Sequence, residues 1–96
     1  MVPVTMYMRP TCPYCLRAER LLRERGCIEL RKLRIDTEPE LRARMIELTG
    51  ASTVPQIFIG ERYVGGFDEL MALDVMQELT PLLRGAALAP SGPRAT

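Results

Sequence analysis

Histidine is missing from this chain and cysteine occurs only three times, so the four nitrogen and sulfur ligands of a closed zinc site cannot be gathered within one molecule. Neither charge is in excess: thirteen basic residues face twelve acidic ones, for a net charge of +1. That balance makes no electrostatic case for nucleic acid or an anionic membrane as the main partner. No apolar run approaches the roughly 20 residues needed to span a bilayer. The start, MVPVTMYMRP, has neither a basic leader nor an apolar stretch of signal-peptide length. No internal repeat is visible. A cytoplasmic protein, monomeric and acting on a small-molecule or protein partner, is the expectation; there, thiols stay reduced unless they do redox chemistry.

What is present suits one compact domain. Ninety-six residues with 47% apolar content can build an ordinary hydrophobic core without disulfides or metal. Val2 to Met8 reads as a strand ended by Pro10. From Pro13, the apolar residues Leu16, Ala18, Leu21 and Leu22 recur at helical spacing until Gly26. Cys27 to Asp36 reads as a second strand, with a slip in its alternation that suggests a bulge. Asp36 or Thr37 is the expected cap of a second helix, carrying Leu41, Met45 and Leu48 up to Gly50. Two strand-like pieces around Gly60 and Glu61 form a hairpin signal. Asp68 opens a third helix with Leu70, Leu73, Met76 and Leu79 on its apolar face, closed by Thr80 and Pro81. The methionines at 6, 8, 45, 71 and 76 are expected in the core. The order is β-α-β-α-β-β-α over residues 1–85, followed by an 86–96 tail of small residues and prolines expected to be disordered.

The chemistry concentrates in PTCPYC, Pro10 to Cys15. With Cys12 at a helix N-terminus, Cys15 lies one turn in on the same face, and the β-carbons are about 5–6 Å apart. A small adjustment of that turn closes a disulfide. The chain-entropy model gives so short a ring only about 2 kcal/mol of stabilisation, which makes it a poor staple and a good switch. The thiolate is the attacking species, and a helix N-terminus favours an anion by about 0.3–1 kcal/mol, up to about 2. Arg9, three residues upstream, could add to this. Cys12, the outer thiol, is the expected nucleophile, and Cys15 the thiol that resolves its mixed disulfide. Structural zinc, a fixed disulfide and two inert core cysteines are weaker alternatives. Cys27 reads most simply as buried packing, with a regulatory or intermolecular thiol as the alternative.

Three motifs resemble the dithiol glutaredoxins: CPYC at Cys12–Cys15, TVPQIFI at Thr53–Ile59 and GGFDEL at Gly65–Leu70, in matching order over about residues 4 to 84. Thioredoxin proper is a poorer fit, since it brings an extra N-terminal strand and helix and a tryptophan beside CGPC, and tryptophan is absent here. The resemblance implies an α/β thioredoxin-like fold, with a four-stranded mixed sheet flanked by three helices and a cis Pro55 beside the active site. It implies glutathione as reductant and co-substrate, with no metal expected. The Val54 backbone would pair with the cysteinyl unit of glutathione, within the Thr53-Val54-Pro55 loop, and align its sulfur with Cys12. Amides at Phe67 and Asp68, with Gly65 and Gly66 permitting close approach, would hold the γ-glutamyl carboxylate, and the Asp68 side chain its ammonium. Arg9 and Arg42 would meet the glycyl carboxylate, and Tyr14 would flank the sulfur.

Each position has a plainer reading. Asp68 is also an ordinary helix cap, Gly65 and Gly66 turn residues, the two arginines solvated surface charges and Tyr14 a half-buried packing residue. Arg9 stands where the family often has lysine, and Phe67 where it often has a smaller residue. The expected activity is reduction of protein disulfides and protein-glutathione mixed disulfides. Two alternatives stand beside it: a carrier of an iron-sulfur cluster held by two chains and two glutathiones, or a hydrogen donor to ribonucleotide reductase recycled by thioredoxin reductase.

Overall fold

A computed structural model describes residues 2–85; the expected disordered tail at 86–96 lies outside the described residues. The chain runs β1 (Val4–Met8), α1 (Pro13–Glu24), β2 (Leu30–Arg34), α2 (Pro39–Thr49), β3 (Gln56–Ile59), β4 (Arg62–Gly65), α3 (Phe67–Val75) and α4 (Leu79–Leu83). The sheet order is β2-β1-β3-β4. β1 pairs parallel with β2 and antiparallel with β3, and β3 pairs antiparallel with β4. This is the expected four-stranded mixed sheet of the thioredoxin-like fold, with β1 at its centre.

Alternation along β1 sorts the core into two layers. Val4, Met6 and Met8 join Ala18, Leu22, Ile57, Leu70, Leu79 and Leu83 in the larger cluster, which packs α1, α3 and α4 against one face. Tyr7 points the other way and packs with Ile35 and Met45 beneath α2. Among the described residues no helix is long and apolar enough to cross a membrane.

Five local expectations need correction. The third helix does not run to Thr80; it ends at Val75, and Gln77 takes a left-handed φ of 61° before a separate short helix begins at Leu79. The reason is angular. At 3.6 residues per turn, Leu79 on a straight helix would lie about 180° around from Leu70, yet both are fully buried. The chain must turn to bury the two together. It does so with the Glu78 amide donating to the Leu73 carbonyl at 2.8 Å.

The second strand begins at Leu30, three residues later than expected, because Cys27 belongs to the stop of α1. Its amide donates to the Leu22 carbonyl at 2.9 Å, across Gly26 with φ of 101°. Ile28 is consequently exposed at 77%. The β1–β2 register is continuous, and the irregularity lies instead between β3 and β4 at Ile57/Phe58. The second helix is capped by Glu38 with Pro39 following, not by Asp36 or Thr37; Asp36 is held by Arg34 at 2.7 and 3.0 Å. Met6, Met8 and Met45 are core residues as expected, but Met71, in α3, and Met76, its C-cap, are exposed.

Candidate functional site

Pro10 and Thr11 turn the chain from the end of β1 into α1, with the Cys12 amide donating to the Arg9 carbonyl at 3.2 Å. Cys12 is the N-cap of α1 in extended conformation, and Pro13 occupies the first helical position, where its missing N–H costs nothing. The Cys12 sulfur takes the place of a capping oxygen and accepts the Cys15 amide at 3.3 Å. An anionic sulfur in this seat accepts a charge-assisted bond and faces the positive end of the helix dipole.

The two thiols differ in access. Cys12 keeps 8% exposure and Cys15 only 1%. Burial, followed by the hydrogen bond with the Cys12 thiol, pushes the Cys15 pKa up to about 12. All three cysteines are free. Cys27 is buried at the end of α1, its thiol donating to the Glu29 carbonyl at 3.6 Å, and burial raises its pKa.

Opposite Cys12 stands the loop before β3. The Val54-Pro55 peptide bond is cis, and the Val54 carbonyl lies 3.8 Å from the Cys12 sulfur. Beside this point lies a groove of about 570 Å³ lined by Tyr14, Thr53 to Gln56 and Tyr63 to Glu69. Tyr14 is 53% exposed. Its ring lies 5.9 Å from that of Phe67, and the Arg17 guanidinium sits 5.4 Å above it.

Part of the groove wall is the N-terminus of α3. Gly66 is its N-cap, and the first amides, at Phe67 and Asp68, have no intrahelical acceptor. The Gly66 amide donates to Glu69 Oε1 at 2.7 Å. Gly65 needs to be glycine: its φ is 121°, and a β-carbon there would stand 2.9 Å from the Glu69 side chain. A β-carbon on Gly66 would sit 3.3 Å from the Pro55 carbonyl, so close packing of α3 on the proline loop also favours glycine.

Tyr14, Thr53, Val54, Pro55, Gly66, Phe67 and Asp68 thus share one groove; Cys12 does not line it but meets it at the Val54 carbonyl, and Cys15 is more deeply buried. Arg9 and Arg42 do not line it; both are exposed, at the end of β1 and in the first turns of α2. Sequence reasoning passed over Gln56, Tyr63, Glu69 and Arg17. A signal existed for Glu69, which stands three residues after the N-cap, the acidic half of a capping box. Gln56 could have been noticed as a polar residue opening an apolar strand. Nothing in the sequence pairs it with Tyr63.

The glutaredoxin family model matches residues 4–64 of the chain. A glutaredoxin of Pseudomonas aeruginosa is 46% identical over 83 residues, covering 86% of this chain and 98% of that protein. The solution structure of a glutaredoxin from Brucella melitensis superposes with a TM-score of 0.78 at 48% identity, over 92% of this chain and 95% of the other. The crystal structure of a buckwheat glutaredoxin-glutathione complex gives a TM-score of 0.80 at 28% identity, over 88% of this chain and 79% of the other.

Proposed function

The chain belongs to the glutaredoxin family and is a glutathione-dependent thiol-disulfide oxidoreductase, and within that role we propose that Cys12 is its nucleophile and Cys15 its resolving thiol. The observation that carries the assignment is the contrast between the two sulfurs. Cys12, 8% exposed, caps the helix and abuts the groove at the Val54 carbonyl, whereas Cys15, 1% exposed, holds its proton tightly.

With a protein-glutathione mixed disulfide, the Cys12 thiolate attacks the glutathione sulfur. The S–S bond breaks, the protein thiolate leaves and takes a proton, and glutathione remains on Cys12. A second glutathione, as thiolate, then attacks this disulfide, releasing oxidised glutathione and restoring Cys12. With a protein disulfide, Cys12 becomes linked to the substrate; Cys15 loses its proton, attacks the Cys12 sulfur and expels the reduced substrate thiolate. Two glutathiones reduce the resulting Cys12–Cys15 disulfide.

Glutathione itself is proposed to lie along the groove. Its cysteinyl backbone meets Val54 as a short strand, its γ-glutamyl carboxylate meets the Phe67 and Asp68 amides, and its ammonium meets the Asp68 carboxylate. The buckwheat glutaredoxin-glutathione complex supports a tripeptide site in this fold. Arg9 and Arg42, exposed outside the groove wall, are assigned to the glycyl carboxylate only as long side chains reaching in from the rim. The proposed partners are glutathionylated and disulfide-bearing proteins, ribonucleotide reductase being one candidate, and the proposed setting is a monomer in the reducing cytoplasm.

Two variants test the roles. Cys15→Ser is expected to retain deglutathionylation of a glutathionylated peptide and to lose turnover of dithiol substrates, while Cys12→Ser loses both. Turnover surviving in Cys12→Ser would refute the assignment.

A further inference from the structure

Gln56 is the one buried polar side chain among the described residues, 5% exposed. A buried amide is tolerated only when its donors and acceptor find partners. Here Nε2 donates to the Thr53 carbonyl at 3.0 Å and lies 3.4 Å from Thr53 Oγ1, while Oε1 accepts from the Tyr63 hydroxyl. One side chain therefore ties the residue two positions before the proline to the far strand of the hairpin. Between the tied points lies Val54, whose carbonyl faces the Cys12 sulfur.

The link crosses the irregular step of the sheet. The β3–β4 register slips between Ile57, paired with Gly65, and Phe58, paired with Tyr63, so Gln56 and Tyr63 lie on opposite sides of the slip. Tyr63 pairs with Phe58 in that register, and its ring packs on the Phe58 ring at 5.1 Å. With the ring fixed on Phe58, the hydroxyl is aimed at the Gln56 amide, and the amide in turn fixes the direction of the Thr53 carbonyl.

We infer that Gln56 and Tyr63 are positioning residues that clamp the Thr53–Val54 backbone in the direction needed to pair with the extended backbone of a thiol tripeptide beside Cys12. The inference rests on the glutathione reading given above and adds to it the device that holds the pairing edge still. Neither residue touches the reacting sulfurs. Their effect falls on substrate binding, through the Val54 edge, and not on the intrinsic reactivity of Cys12.

Tyr63→Phe keeps the ring and removes only the hydroxyl. It is expected to raise KM for a glutathionylated peptide about three- to tenfold, the worth of one partly buried hydrogen bond, with kcat within about twofold. Alkylation of Cys12 by iodoacetamide, which needs no backbone pairing, is expected to stay at the wild-type rate. Gln56→Met removes both bonds at similar volume, and Gln56→Met combined with Tyr63→Phe is expected to be no worse in KM than Gln56→Met alone, because the two residues act as one unit. An unchanged KM in Tyr63→Phe, with only the melting temperature lowered, would overturn the clamp and leave a structural bond. A fall in alkylation that parallels the rise in KM would also overturn it, since the thiol itself would then be disturbed. Wild-type protein without glutathione-dependent turnover would remove the premise and the clamp with it, whereas active wild type with an indifferent Tyr63→Phe removes the clamp alone.

Discussion

The resolving step carries a pH dependence that can be worked from the burial of Cys15. Burial is the largest cause of its pKa of about 12, followed by the hydrogen bond with the Cys12 thiol. Once Cys12 is engaged in a mixed disulfide the second cause weakens, but burial remains. At pH 7 a thiol of that pKa is ionised to a fraction on the order of 10⁻⁵. Below the pKa this fraction grows tenfold per pH unit, so the rate of intramolecular attack on the Cys12 mixed disulfide should do the same. Between pH 6 and pH 9 the expected increase is about a thousandfold. The assay is rapid mixing of reduced protein with a twofold excess of oxidised glutathione, acid quench at timed intervals, and mass spectrometry of the Cys12-glutathione species as it converts to the intramolecular disulfide. A decay rate that is flat across this range, or that levels off by pH 7, would show that Cys15 ionises readily and would refute the reasoning.

Other perturbations follow from the same geometry. Gly65→Ala forces a β-carbon into a left-handed position and against Glu69. Backbone strain of about 1–3 kcal/mol should lower the melting temperature by several degrees, and the displaced Glu69 should release the Gly66 amide, seen as faster hydrogen exchange there. Glu69→Ala, which frees that amide without strain, should cost about 0.5–2 kcal/mol in denaturant unfolding. Leu70→Ala, at a fully buried position between α3 and the sheet, should cost about 2–5 kcal/mol in the same measurement. Asp68→Asn should raise KM for glutathione while leaving alkylation of Cys12 unchanged, because Asp68 lines the groove whereas Cys12 meets it only at the Val54 carbonyl.

Much of this architecture is legible in the chain because local and global signals agree. The apolar run Val2 to Met8 ended by Pro10, the Pro13 start of α1, the Gly26 and Gly50 stops and the Gly60-Glu61 loop each mark one element. The break in the last helix is not legible by counting apolar residues three apart. Each such step drifts about 60° around the helix, so Leu70 and Leu79 end on opposite sides while the tally still looks amphipathic. Cys27 and Ile28 read as strand by composition, but the hydrogen-bonding demand of the α1 C-terminus claims them first. At the site, the thiol spacing and the glycines before α3 are short-range patterns and could be seen in advance. The Gln56–Tyr63 bond joins residues seven apart across an irregular step in the sheet, and no periodicity encodes it.

Location of the first covalent adduct tests the central claim most directly. Cys15→Ser protein treated with one equivalent of oxidised glutathione near pH 7, digested and mapped by mass spectrometry, should carry a single glutathione on the peptide containing Cys12. An adduct on Cys27, or none at all, would contradict it.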